Sequence, residues 1–323
     1  MQSSSALTIN ETSGSAWKAG SSREEGSEGV DYDKLLGYEM PTFTYSYTER
    51  DLALYALGVG AGVADPLKDL NFTYELHPDF AALPTFGVIP PFRAIVDIVA
   101  IPHLRFNPMK LLHGESYLEI KRQPEPKDTL TNYAKISAVY DKKSAASVIV
   151  DVRTVNQKGE EVYFNQMTMF IRGIGGFGGP SGPKVQPIKV PDRAPDAVEL
   201  EKTLPGQALL YRLSGDLNPL HVDPEMAAIG GFKRPILHGL CTFGYAGRAV
   251  LKHFCQNDPA KFKSIKVRFS RSVYPGETLR TEMWLTAPDT VVFVTKVVER
   301  NEEVLSQCVA KIEPFTPAAK SQL

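Results

Sequence analysis

The stretch Tyr211-Arg212-Leu213-Ser214-Gly215-Asp216-Leu217-Asn218-Pro219-Leu220-His221 places a carboxylate, an amide and an imidazole close together, bent around Gly215 and an Asn218-Pro219 turn. A residue that precedes proline is kept out of the helical region, so the segment reads as an ordered loop rather than one face of a helix. A loop can aim Asp216 and His221 at a common point even though they are not neighbours in the chain. An acid and a base held around one small molecule is what general acid–base chemistry on water requires. The same residues also read as a turn whose Asp and Asn cap a following helix, with His221 packed beneath it.

Downstream, Gly230-Gly231-Phe232-Lys233-Arg234-Pro235-Ile236-Leu237-His238-Gly239-Leu240 leads into an apolar helical run from Cys241 to Phe254. Gly239 falls where that helix should begin, so its N–H is one of the unpaired donors of a first turn. Such a donor, with the helix dipole behind it, suits negative charge developing on a carbonyl oxygen. An acid–base pair and an oxyanion donor together can add water to, or remove it from, a carbon beside a thioester carbonyl.

Ser214-Gly215-Asp216-Leu217-Asn218-Pro219-Leu220-His221, followed by His238-Gly239-Leu240, resembles the signature of the hydratase 2 and MaoC-like dehydratase family. Supporting pieces are Tyr55-Ala56-Leu57-Gly58-Val59-Gly60, Leu112-His113-Gly114-Glu115, Gly175-Gly176-Phe177-Gly178-Gly179 and Val273-Tyr274-Pro275-Gly276-Glu277-Thr278. They spread from about Tyr32 to Phe315, so the resemblance does not rest on one motif. It implies (R)-specific hydration of trans-2-enoyl-CoA on a pair of hot-dog folds.

Composition is compatible with that. The 323 residues suffice for two domains or one fused pair, and 43% hydrophobic with 23% charged residues is ordinary for a globular chain. A formal net charge of -1 creates no global field toward nucleic acid or anionic membranes, so neither is expected as a partner. The three cysteines, Cys241, Cys255 and Cys308, lack metal-type spacing and argue against a disulfide scaffold. Arg93 and Asp97 interrupt the best apolar run, so no membrane span is expected, and the N-terminus lacks a signal-peptide core.

The chain divides at composition shifts. Residues 1–30, rich in Ser, Gly and Glu, read as a disordered tail or linker, and residues 173–196 as a Gly/Pro-rich linker. Between and after them lie a first half (31–172) and a second half (197–315), with a tail at 316–323. Each half offers a helical region followed by strand patterns: 133–140, 147–155 and 162–171, then 281–285, 291–298 and 304–312. Short turns such as Asn156-Gln157-Lys158-Gly159 predict antiparallel hairpins. The expected class is α+β, a double hot-dog in which each half wraps an antiparallel sheet around a helix and the sheets fuse edge to edge.

Only the second half carries the acid–base motif; at the matching place the first offers His77-Pro78-Asp79 and then Leu83-Pro84-Thr85-Phe86-Gly87. The first half is therefore expected to accommodate the acyl chain, the alternative being duplication followed by drift. In the second, one member of the Asp216/His221 pair takes a proton from water while the other delivers one to C2, and Gly239 N–H holds the thioester oxygen. Asn218 holds either the water or the loop. His238 reads as packing or hydrogen-bonding at the helix start, and Phe243, Tyr245, Val250 and Leu251 as core. Readings of His221 with Asp223 as metal ligands, or of Ser214 as a nucleophile, lack further ligands and a nucleophile elbow respectively.

Coenzyme A needs cations for its phosphates. Lys261, Lys263, Lys266, Arg268 and Arg271 surround Phe269, and Lys142 adjoins Lys143; a solvated face is the alternative reading. By resemblance, Lys142 and Phe269 match CoA contacts, and His113 with Gly114 a substrate contact, His113 reading equally as a core histidine. No phosphate loop precedes a helix, so no cofactor is expected beyond the CoA thioester substrate. Ser321-Gln322-Leu323 resembles the peroxisomal Ser-Lys-Leu address with Gln in place of Lys, which suggests an import receptor as a partner and a peroxisomal location, cytoplasmic otherwise. A homodimer, and fusion or cooperation with an (R)-3-hydroxyacyl-CoA dehydrogenase, follow from the resemblance; the chain could be a fragment of such an enzyme or stand alone. The rivals are a hot-dog thioesterase and a non-catalytic acyl-CoA-binding module.

Overall fold

The strand patterns meet in one antiparallel sheet. The computed structural model describes residues 29–315. In the first half the strands are β1 (Gly29–Val30), β2 (Phe43–Tyr47), β3 (Leu104–Arg105), β4 (Leu111–Ile120), β5 (Asp128–Asp141), β6 (Ala145–Val155) and β7 (Glu161–Arg172). The second half adds β8 (Ala197–Lys202), β9 (Phe262–Phe269), β10 (Thr278–Ala287), β11 (Thr290–Val297) and β12 (Glu302–Ile312). β1 and β3 form a small ribbon; the others make a 10-stranded sheet in the order β2-β5-β6-β7-β4-β9-β12-β11-β10-β8. Read inward from either end, the two halves repeat the same connectivity, with β8 to β12 in the places of β2 and β4 to β7. They join where β4 pairs with β9, Leu118 opposite Ile265 and Glu115 opposite Arg268. This is the double hot-dog, fused edge to edge.

Local chemistry sets the hairpins. At the β6–β7 turn the Asn156 side chain accepts the N–H groups of Lys158 and Glu160, closing a short polar loop between two apolar-alternating strands. Alternation then decides the faces: Val148, Val150 and Val152 of β6 are fully buried beside Ala94 and Ile98, whereas Ile149 and Asp151 point the other way.

The helices are α1 (Tyr32–Leu35), α2 (Glu49–Gly58), α3 (Leu70–Thr73), α4 (Arg93–Asp97), α5 (Gln207–Tyr211), α6 (Pro224–Ile229) and α7 (Gly239–Phe254). The second half is wrapped around α7, whose Phe243, Tyr245, Val250 and Leu251 are buried as expected of core. In the first half the equivalent position holds no such helix. Pro84, Pro90 and Pro91 break it into a 3-10 turn at Pro84–Val88, the single turn of α4, and another 3-10 turn at Ile98–Ala100. The apolar surface of that broken segment leaves room beside it.

The halves are also pinned through α7. Arg248 donates to Val59 O (3.0 Å) and to Glu201 Oε1 (2.8 Å), and lies 3.3 Å from Asp69 Oδ2. Gln207 donates to Gly58 O at 2.6 Å and accepts the Tyr245 hydroxyl at 2.9 Å. Between Arg172 and Ala197 the chain forms neither helix nor strand; Lys142 Nζ bonds Ser181 O at 2.5 Å along this crossing. No helix among the described residues is long and apolar enough to cross a membrane. The targeting-like Ser321-Gln322-Leu323 and the Ser/Gly/Glu tail up to Ser27-Glu28 lie outside the described residues.

Candidate active site

Gly215 makes the loop possible. It caps a 3-10 turn at Arg212–Ser214 with φ of +131°, a backbone shape that side chains resist. Asn218 then holds the bend: its side chain accepts Leu220 N–H at 3.0 Å and its own N–H donates to Asp216 Oδ1 at 3.2 Å. Of the two roles offered for Asn218, the geometry displays the loop-holding one. A second 3-10 turn, Pro219–His221, delivers His221 back toward Asp216.

His221 Nε2 lies 3.8 Å from Asp216 Oδ2, and both side chains are largely buried. The other ring nitrogen, Nδ1, is 2.9 Å from Ile236 O. A carbonyl can only accept, so Nδ1 carries the hydrogen and the neutral ring presents its Nε2 lone pair toward the carboxylate. Burial lowers the His221 pKa, with the Asp216 charge opposing it. Burial likewise raises the Asp216 carboxyl, against the pull of His221 and the Asn218 N–H. Each group is thus shifted toward its neutral form, and each restrains the shift of the other.

Gly239 opens α7 just after its N-cap His238, whose carbonyl accepts Cys241 N–H at 3.1 Å. The Gly239 N–H belongs to the first turn and has no acceptor within the helix. A Cβ at this position would stand 3.1 Å from Phe269 Cδ1, so the backbone lies flat against that ring. His113 meets the same ring with centroids 5.0 Å apart. Its buried Nε2 has no hydrogen-bond partner among the described residues, and burial lowers its pKa to about 4.

Asp216, Asn218, His221, Gly239, His113, Gly114, Lys142 and Phe269 all border one cleft of about 1260 Å³. Its apolar wall includes Phe92, Ile95, Val96 and Val99, from the broken central segment of the first half. Ser147, Ile149 and Asp151, which point away from the buried valines of β6, also line it. Cations at its border are Lys142, Arg172, Lys266, Arg268 and Arg271. Lys266 and Arg268 share Glu115, at 3.1 and 2.5 Å. Lys261 and Lys263, grouped with them by sequence, turn elsewhere: Lys261 to Gln256 and Lys263 to Glu313.

The competing chemistries find little geometry. Asp223 caps α6 by accepting Glu225 N–H. Ser214 Oγ is buried without a hydrogen-bond partner among the described residues, whereas a serine nucleophile needs a bonded base. Asp216, His221 and His238 offer ligand atoms within 4.8 Å of one another. Yet the two imidazoles are stacked, centroids 3.7 Å apart at 27°, so their in-plane lone pairs do not converge on one ion. The sequence reading passed over this stack; the signal it had was the His238-Gly239 pair at a helix start.

The double hot-dog, with Asp216 and His221 in one cleft with Gly239 at the start of α7, is the architecture of the MaoC-like dehydratases. Family comparison is specific: residues 45–173 match the model of the MFE-2 hydratase 2 N-terminal domain and residues 186–307 that of the MaoC-like domain. The chain belongs to the enoyl-CoA hydratase 2 family. It is 48% identical to a probable enoyl-CoA hydratase 2 of Dictyostelium discoideum, over 88% of this chain and 98% of that protein. It is 46% identical to the peroxisomal multifunctional enzyme type 2 of Mus musculus, over 86% of this chain but only 38% of that longer protein. A solved MaoC-like dehydratase from Phytophthora capsici superposes with a TM-score of 0.80 at 38% identity, covering 91% of this chain and all of that one (100%).

Proposed function

We propose that this chain is an (R)-specific 2-enoyl-CoA hydratase, adding water reversibly to trans-2-enoyl-CoA to give (3R)-3-hydroxyacyl-CoA in fatty-acid β-oxidation. The observation that carries the reading is the pair itself: His221 Nε2 and Asp216 Oδ2, 3.8 Å apart at the cleft that Gly239 also borders. Water placed against both groups loses a proton to the His221 Nε2 lone pair as its oxygen bonds to C3. The carboxylate of Asp216 steadies the imidazolium formed. Electron density moves onto the thioester oxygen, where the Gly239 N–H and the dipole of α7 receive it. The proton held by the pair then passes to C2 on the same face, so one water supplies both added atoms and the addition is syn.

Substrate placement follows from the walls. Phe92, Ile95, Val96 and Val99 suit an acyl chain, and the broken central segment of the first half leaves space that α7 fills in the second. His113 Nε2 and Phe269 border the thioester region, and Lys142 with Arg172 the cation-rich rim that suits CoA phosphates. No cofactor is needed for this chemistry. The name of the mouse relative supports a peroxisomal location for this protein too. The test is turnover of trans-2-enoyl-CoA by wild type, Asp216→Asn and His221→Gln. Either variant should lose ~10²–10⁴-fold in kcat, the range for a positioned acid or base; near wild-type turnover in both would refute the pair.

A further inference from the structure

His238 touches more of the site than any reading of it as filler accounts for. Its ring lies on His221, centroids 3.7 Å apart and planes at 27°. Its Nε2 is 3.1 Å from Asp216 O, which can only accept, so Nε2–H donates to the backbone of the other member of the pair. Tyr211 of α5 also meets the ring, with centroids 4.9 Å apart. The residue is 1% exposed, and its Nδ1 is buried with no hydrogen-bond partner among the described residues. It is the N-cap of α7, so its chain neighbour is Gly239.

We propose that His238 is a positioning residue for the hydration reaction, a plate that fixes the plane of His221 and the backbone of Asp216 relative to the Gly239 N–H. This rests on the Asp216/His221 reading and adds a residue to it. One side chain thereby ties base, carboxylate loop and oxyanion donor into a single rigid unit, which the reaction needs because a displacement of an ångström costs ~10²-fold. The groups facing it are Tyr211, Arg212, Asp216 and His221. Burial, with the charges of His221 and Arg212, holds its pKa well below the ordinary value, so the plate stays uncharged while His221 takes its proton. The plate also keeps water off one face of His221.

Two variants separate the parts. His238→Phe keeps the plate and drops the bond to Asp216 O; His238→Gln keeps a donor and drops the plate. For His238→Phe, kcat should fall on the order of 10²-fold with KM little changed and the acid limb of the kcat/KM profile unmoved. For His238→Gln, water reaches His221, its pKa rises toward the ordinary value, and the acid limb moves to higher pH. Wild-type kcat and pH profiles in both variants would overturn the proposal. So would losses that merely track a lowered melting temperature. Asp216→Asn run alongside keeps the two claims apart: an inactive Asp216→Asn with unaffected His238 variants sinks only the positioning role, whereas an active Asp216→Asn sinks the pair beneath it.

Discussion

His221 presents Nε2 to Asp216 Oδ2 across 3.8 Å while Ile236 O holds its Nδ1 at 2.9 Å. That bond fixes the tautomer and leaves the Nε2 lone pair on the side of the Asp216 carboxylate. The balance of burial against that carboxylate sets how the site answers pH.

Burial lowers the His221 pKa and Asp216 raises it, the first being the larger effect. Hydration needs His221 neutral, so activity should persist as pH drops below the ordinary histidine pKa of ~6.5 and fail only at lower pH. In Asp216→Asn burial is opposed only by the Ile236 carbonyl, so the His221 pKa should move further down. Proton NMR titration of His221 in wild type and variant checks this; a higher pKa in the variant would contradict it.

Gly239→Ala should lower kcat, because its Cβ would come within 3.1 Å of Phe269 and push the first turn of α7 off the ring. Restoring room with Phe269→Leu in the same chain should recover part of the loss. Kinetics of the single and double variants decide it, and a double variant no better than Gly239→Ala would reject the clash as cause.

Val96 lines the cleft from α4. Val96→Phe should reduce kcat/KM for a long trans-2-enoyl-CoA more than for crotonyl-CoA, since only the longer chain reaches that wall. Equal losses on both substrates would remove Val96 from the acyl path.

Arg248 carries charge pairing between the halves. Without it the Glu201 carboxylate, already pushed up by burial, loses the cation that opposes this. Arg248→Met should destabilise the protein by ~1–3 kcal/mol, between the worth of an exposed pair and that of a fully buried one, since Arg248 and Glu201 are partly buried. The midpoint of urea unfolding measures it, and an unchanged midpoint would show that the clamp is dispensable.

Much of this was legible in the chain because alternation survives without a partner. The strand patterns at 291–298 and 304–312 match β11 and β12 within two residues, since one face of each strand is core and β-branched residues mark it. The Asp216-to-His221 loop was legible because Gly215 and Pro219 dictate backbone shape locally. Three things depended on distant residues and were not. The broken first-half segment reads from Pro84, Pro90 and Pro91 only once the sheet around it is known. Lys261 and Lys263 turn away because Gln256 and Glu313 reach them. The His221–His238 stack joins a loop to a helix start, and no spacing rule couples those two places.

The most direct test is to follow loss of the enoyl-thioester absorbance of trans-2-decenoyl-CoA, with chiral analysis of the product, for wild type and Asp216→Asn together. The account predicts the (R)-3-hydroxy product from wild type and turnover cut ~10²–10⁴-fold in the variant. Release of free CoA without hydroxy product, an (S) product, or an unimpaired Asp216→Asn would contradict it.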